Sequence, residues 1–298
     1  MQKTVIIVAG PTAVGKTGIA IELAKHFNTE IISADSRQCY KELNIGVARP
    51  CLLELAEVKH HFIASHTIVE KVTAAVFENY ALRKTQEIFQ MKEVVVMVGG
   101  SGLYIKAFCD GMDYIPEIPQ DIHLEIIQLY GQNGLPWLQS EIKKHDPVFF
   151  LKGEMQNPAR MMRALEVIKT TGQSILNYRA KANLKRDFDV IKIGLELSKE
   201  NLHQNISTRV DKMMAQGLLN EVRSLLKYQK LNALQTVGYK ELFEYLNNKT
   251  SLKESVAAIK QNTRQYAKRQ LTWFKKDREF MWMKPDATEV IKKTSGFL

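Results

Sequence analysis

The residues best equipped for chemistry come early in the chain. Gly10-Pro11-Thr12-Ala13-Val14-Gly15-Lys16-Thr17 fits the pattern G-x-x-x-x-G-K-[ST]. In such a run the glycines let backbone N–H groups turn inward around a phosphate. The N-terminus of a following helix adds its dipole, and Lys16 adds a full positive charge. The Thr17 hydroxyl can reach a magnesium ion. A diphosphate or triphosphate ligand is implied, ATP included, but the reaction is not fixed. Most such loops serve phosphoryl transfer and use a strand-end aspartate to help hold magnesium. Here the strand-like run Val94–Val98 ends in Gly99-Gly100. Asp35, after a different strand-like run, is the acidic candidate for that metal.

These residues need a sheet edge to hold them. Lys3–Ala9 is a short β-branched run ending at Gly10, as in a buried parallel strand. Thr17–Phe27 has helical spacing through Ile19, Leu23 and Phe27. Glu30–Ser33 predicts a second strand, Ala74–Met91 an amphipathic helix, Glu93–Val98 a third strand and Asp189–Leu197 a further one. Strands alternating with helices imply an α/β fold with a parallel sheet flanked by helices, like that of P-loop NTPases. Pro116 and Pro119 mark a change of pattern, and only helical signals follow as far as Tyr178. A core at 1–115 and 187–298 with a helical insertion at 116–186 is therefore expected. Beyond Lys199 the chain reads as helical throughout.

The net charge is +10, and its distribution matters more than its size. Residues 1–114 carry 12 basic and 12 acidic groups, whereas residues 201–298 carry 18 and 9. A neutral half joined to a basic half suggests a small-molecule site beside a polyanion-binding surface, although a basic surface also serves solubility. No apolar run reaches 18 residues, so no membrane span is expected. The first residues lack a secretory leader, and the 3 cysteines, Cys39, Cys51 and Cys109, lack zinc spacing. Reduced thiols in a cytoplasmic protein are the expectation. His60 and His61 have no partner at metal-ligand spacing and read as structural.

Several segments together resemble the tRNA dimethylallyltransferase (tRNA isopentenyltransferase) family, in its compact bacterial form. They are GPTAVGKT at 10–17, ADSRQCY at 34–40, IGVARP at 45–50, HHFI at 60–63, VGGSGLY at 98–104, NPARMMRALEV at 157–167, TVGYKEL at 236–242 and TRQYAKRQLTWF at 263–274. They span nearly the whole chain in the family's order. Val47 stands where the family usually has Thr, Ser101 where Thr is usual, and Cys39 where an aliphatic residue is commoner. Ser101 keeps the hydroxyl, and Val47 loses one.

The resemblance implies transfer of a dimethylallyl group from its diphosphate to N6 of the adenosine 3′-adjacent to the anticodon. Such a base must leave its stack to react. The diphosphate would sit in the Gly10–Thr17 loop, with Mg2+, Lys16 and Thr17 neutralising the leaving group. Arg209 would add a second cation, unless it forms a surface ion pair with Asp211 or a neighbour. An aromatic amine is a poor nucleophile, and a carboxylate can take its proton as the bond forms. The family implies Asp35 for that step; a magnesium-site or helix-cap role is the alternative. Ser36, Arg37 and Gln38 would then meet the tRNA, and Ser101 would serve the donor diphosphate or the base, with Tyr104 near the same edge and Tyr40 packed inside.

In the insertion, Arg160 and Arg163 are one turn apart and could grip the anticodon stem-loop with Gln156 and Asn157. Lys260, Arg264 and Lys268 recur every four residues beside Ile259, Tyr266 and Trp273, as a basic stripe for RNA or as a solvated face. A monomer is expected. Three rivals are a small-molecule kinase, an adenylate prenyltransferase acting on the free nucleotide, and a non-catalytic RNA-binding module. The first needs no basic half, the second no helical insertion, and the third leaves the phosphate loop unexplained.

Overall fold

The computed structural model describes residues 2–113, 115–178 and 184–298, so the 179–183 part of the expected insertion lies outside the described residues. The first elements are β1 (Thr4–Ala9), α1 (Lys16–His26), β2 (Ile31–Ala34), α2 (Leu52–Glu57), β3 (His60–His61), α3 (Ala74–Phe89), β4 (Val94–Gly99) and α4 (Gly102–Asp110). Three helices follow, α5 (Gln120–His145), α6 (Pro147–Lys152) and α7 (Pro158–Thr171). The chain then forms β5 (Asp189–Leu195), α8 (Lys199–Ala215), α9 (Leu218–Ser224), α10 (Tyr239–Leu246), α11 (Leu252–Phe274), β6 (Met281–Met283) and α12 (Ala287–Ser295). Two compact units result, one from 1–109 with 185–298 and one from 110–184.

The larger unit is an α/β domain. Its sheet has the order β3-β2-β4-β1-β5-β6, and every pairing is parallel. All of β1 is buried. A central parallel strand is covered on both faces, which is why TVIIVA is an unbroken apolar run and not an alternating one. Val5 and Ile7 enter the core that holds Phe77, Phe108 and Tyr239. Ile6 and Val8 enter the opposite core, with Leu23, Ile193 and Ile206. This alternation follows from the two-residue period of a strand. The carboxyl end of β1 is thus flanked by those of β4 and β5, the edge where α/β sheets bind ligands.

Two strands were not legible. β3 has only two residues, and β6 interrupts the stretch beyond Lys199 that reads as helical throughout. Each is a short edge strand held by a single neighbour, β2 or β5. Pairing, rather than a local pattern, makes them strands. The run Val94–Val98 is consequently the fourth strand.

The smaller unit, Asp110–Leu184, has its own core of Ile126, Leu138, Ile142, Phe149, Met161 and Leu165. Its limits lie at 110 and 184, against the expected 116 and 186. Gly134, at φ 69° and ψ −163°, interrupts α5 just before Pro136. Asp146 caps α6 and Asn157 caps α7 through side-chain oxygens. These caps explain why helices begin at Pro147 and Pro158, where a missing N–H costs nothing.

At the end of β4, a Cβ on Gly99 would collide with the Ala34 carbonyl. That obstacle is backbone, and it cannot rotate away. Gly99→Ala should lower stability by about 1–3 kcal/mol, the range for overpacking, measured by urea denaturation. An unchanged midpoint would show that β2 and β4 separate freely here.

Candidate active site

The 10–17 loop leaves β1 and runs into α1. Gly15, at φ 98°, provides the left-handed N-cap, and no side chain caps the helix. The first-turn N–H groups therefore remain available to an anion. Ala13 also adopts a left-handed φ of 65°, a strained choice for a residue with a Cβ. Lys16 Nζ donates to Pro11 O at 2.7 Å. The C-terminal helices brace the loop. Gln270 Oε1 accepts from Thr12 N at 2.8 Å, and its Nε2 donates to Gly100 O at 3.0 Å. Asn205 Nδ2 donates to Ala13 O at 3.2 Å.

The loop borders a cavity of about 270 Å³, whose lining includes Gly15, Lys16, Thr17, Asp35, Gln38 and Arg209. A second chamber of about 110 Å³ shares Thr12, Asp35, Val47, Arg209 and Tyr266 with it. The rest of that chamber's lining includes the apolar Ile206, Val210, Met213, Val237 and Ile259, beside Arg37, Thr236 and Thr263. The result is a charged basin that opens onto an apolar recess.

Lys16 opens on the cavity but is otherwise enclosed by protein. Burial, then the nearby Arg209 charge, pulls its ammonium down to about 7, against the opposing pull of Asp35. Burial likewise lowers the Arg209 guanidinium, again opposed by Asp35. Two cations thus share one carboxylate, leaving the basin short of negative charge. Asp35 Oδ1 accepts from Arg37 N at 2.8 Å and Gln38 N at 3.2 Å. Its other oxygen accepts no hydrogen bond from the described residues. Ser101 Oγ accepts from Ser36 N at 2.9 Å, so its hydroxyl fixes the turn that carries Asp35.

Lys16, Thr17, Asp35 and Arg209 therefore meet around one basin. Val14 is buried in the core, so only its backbone can face a ligand. Arg37 lines the smaller chamber. The Gln38 amide is engaged by Ser33, Val47 and Ala48 at 3.2, 3.3 and 3.0 Å. The suggested Arg209–Asp211 pair does not form, since Asp211 binds Lys260 at 2.6 Å.

The stripe Lys260, Arg264 and Lys268 is not one open face. Lys260 holds Asp211, Arg264 donates to Ser207 at 2.9 Å, and only Lys268 is exposed. Helix α11 packs these turns on α8, which the four-residue spacing could not reveal. Tyr104 is a core residue, stacked on Phe77 at 4.6 Å, and Tyr40 is buried. His60 and His61 bond to Val58 O at 2.8 Å and Glu30 at 2.5 Å.

In the helical unit, Asn157 Oδ1 caps Arg160 N at 3.3 Å, and Gln156 is exposed. Arg160 is exposed and pairs with exposed Glu154. Arg163 pairs at 3.1 Å with Glu166, which is buried and also bound by His123 at 2.7 Å. Sequence reading missed Gln270, Asn205 and Tyr266 as site residues. Thr263, Tyr266 and Gln270 lie three and four apart, hence on one face of α11. A polar residue on a face that is otherwise packed was the available signal.

A model of the family described as IPP transferase matches residues 38–277. The chain belongs to this family. It is 44% identical over 286 residues to the tRNA dimethylallyltransferase of Christiangramia forsetii, covering 96% of this chain and 95% of that one. It is 41% identical over 290 residues to tRNA dimethylallyltransferase 1 of Bacteroides thetaiotaomicron, covering 97% and 94%. Among solved structures, the tRNA isopentenylpyrophosphate transferase of Bacillus halodurans superposes with a TM-score of 0.72 at 33% identity, over 100% of this chain and 95% of that one. A eukaryotic dimethylallyltransferase described as acting on tRNA gives 0.75 at 29%, over 91% and 69%.

The electrostatics give a measurable consequence. At pH 8 free Lys16, titrating near 7, is mostly neutral. An anion in the loop raises its pKa, so binding takes up a proton, and affinity falls as pH climbs above about 7. Calorimetry of inorganic diphosphate binding at pH 8, in buffers of different ionisation enthalpy, should show wild type taking up close to one more proton than Lys16→Arg. Comparison with that variant cancels the ligand's own titration. Equal uptake would contradict the lowered pKa.

Proposed function

We propose that this member of the IPP transferase family transfers a dimethylallyl group from dimethylallyl diphosphate to N6 of the adenosine 3′-adjacent to the anticodon of tRNA. The observation that carries this reading is the meeting of Lys16, Arg209 and Asp35 around one basin that opens onto an aliphatic chamber. The diphosphate lies against Gly10, Pro11, Thr12, Ala13, Val14, Gly15, Lys16 and Thr17, chiefly on their backbone N–H groups. Lys16 and Arg209 stabilise the charge that grows on the departing diphosphate. Asp35 presents its uncommitted oxygen to the flipped adenine and takes the amine proton as the C–N bond forms. Ser101 holds that carboxylate's turn in place.

The donor set also suits magnesium, a hard cation that keeps several waters and needs few protein ligands. Among the described residues no cluster of three metal-binding side chains exists, so diphosphate oxygens and water would complete the shell. Thr17 would hold the ion, with Asp35 as second candidate, and the bound ion would neutralise diphosphate charge.

The basic charge of the chain answers to RNA. An exposed ion pair contributes at most about 1 kcal/mol, so a phosphate displaces Glu154 from Arg160 at little cost. Arg160, Gln156 and Asn157 therefore form the anticodon stem-loop grip of the helical unit. Arg163 differs, because losing it strands the buried Glu166. Arg37 and Lys268 supply further contacts to RNA. No helix among the described residues is long and apolar enough to cross a membrane. We assign the protein to the cytoplasm, as a monomer, where its tRNA substrate resides.

The test is transfer of labelled dimethylallyl diphosphate, with magnesium, to tRNA or to AMP. Label in AMP alone would favour the free-nucleotide enzyme, and release of phosphate from ATP the kinase. In single turnover, Asp35→Asn should slow transfer by roughly 10²–10⁴-fold while donor and tRNA still bind. A rate near wild type would remove Asp35 as the base. Arg160→Glu should weaken tRNA binding and reduce its salt slope by about 0.7–0.9 for each phosphate that the protein ceases to neutralise. Arg163→Ala should chiefly lower stability. A salt-independent tRNA affinity would overturn the RNA grip.

A further inference from the structure

One wall of the smaller chamber is held by groups that the diphosphate chemistry does not use. The N–H groups of Asn44, Ile45 and Gly46 all point at the carboxylate of Glu221, on α9, at 3.2, 2.8 and 3.0 Å. The Tyr239 hydroxyl, at the start of α10, donates to the same carboxylate at 2.5 Å. Burial, then the Glu221 charge, raises the Tyr239 pKa, so the phenol keeps its proton and stays a donor. Its buried ring lies so close to Gly46 that a Cβ there would stand 2.5 Å from a ring carbon. On the other side Gln38 Nε2 holds Val47 O and Ala48 O at 3.3 and 3.0 Å. A turn gripped at consecutive amides by a shared charge has little freedom to shift.

That turn presents Val47 to the chamber, whose aliphatic lining is completed by Ile206, Val210, Met213, Val237 and Ile259. The chamber measures about 110 Å³. An apolar protein cavity of about 150 Å³ accepts benzene. A branched five-carbon chain is on this scale, whereas a ten-carbon chain exceeds it and must displace a wall or extend back into the charged basin. We infer that Val47 sets the donor's chain length at five carbons, and that Glu221, with Tyr239, is the positioning residue that keeps Val47 in the wall. This inference rests on the proposed prenyl diphosphate donor.

The experiment measures kcat/KM for dimethylallyl diphosphate and for geranyl diphosphate with the same tRNA acceptor. Inorganic diphosphate binding is followed in parallel. Val47→Ala should raise the ten-carbon to five-carbon ratio by about tenfold or more, the scale of hydrophobic pocket discrimination. Glu221→Gln should move the ratio the same way and leave inorganic diphosphate binding unchanged, because the 10–17 loop is untouched. A variant carrying both changes should show less than the combined effect, since both act through one side chain. Should Glu221→Gln fail to fold, Tyr239→Phe removes one hydrogen bond of the same set and serves in its place. An unaltered ratio in Val47→Ala would overturn the chain-length role. A shift in Val47→Ala with none in Glu221→Gln or Tyr239→Phe would overturn the positioning role. Failure of wild type to transfer dimethylallyl at all would instead overturn the reading of the donor.

Discussion

Gln270 joins the parts of the molecule that must act together. Its carbonyl oxygen takes the Thr12 N–H, and its amide nitrogen gives to the Gly100 carbonyl. One buried side chain thus ties the phosphate loop, the end of β4 and helix α11 to one another. An amide satisfied at both ends in a closed site is costly to break, because each partner would be left buried and unpaired. The Gln270 amide also lies against Gly100, where a Cβ would strike it. Gly100, directly after β4, makes room for this joint, which is a physical reason for Gly near the place where a phosphoryl-transfer enzyme usually has an acid.

Around that joint the protein gathers positive charge before any ligand arrives. Enclosure lowers the pKa of both Lys16 and Arg209, and the Arg209 charge lowers Lys16 further, while Asp35 pulls both back up. In the protein alone the Lys16 ammonium, held on the Pro11 carbonyl, gives up its proton more readily than a free lysine does. A diphosphate reverses it, replacing mutual repulsion with attraction in a medium where charges are weakly screened. A related arrangement holds at Glu221, where a carboxylate occupies a nest of three backbone amides and removes the choice of any other conformation for the 44–46 turn.

Much of this was legible in the order of residue types. The phosphate loop, the run that became β1 and the acid after β2 each depend on local pattern, and local pattern is what a sequence displays. Ala74–Phe89 and the helices after Pro116 were likewise legible, because helical periodicity acts within a few residues. Arg160 and Arg163 mark the limit. Their spacing places both on α7, yet one pairs with an exposed carboxylate and the other with a buried one. That difference depends on Glu166 being buried and bound also by His123.

By itself the sequence determined that a phosphate-binding α/β domain, interrupted by a helical unit and weighted with basic residues near its end, would form. It determined the loop's ligand class because eight consecutive residues, 10–17, carry the whole signal. Only the tertiary structure decided which polar side chains face one another across hundreds of positions. Gln270 meets Thr12, Arg209 meets Asp35 and Lys16, Lys260 turns to Asp211, and Glu221 closes on 44–46. Such pairings leave no periodic trace, because each partner is fixed by its own element and their approach is fixed by the packing of helices on the sheet. Strand β6 has the same origin: Met281–Met283 is extended because β5 offers it an open edge, and three residues hold too little pattern to announce it.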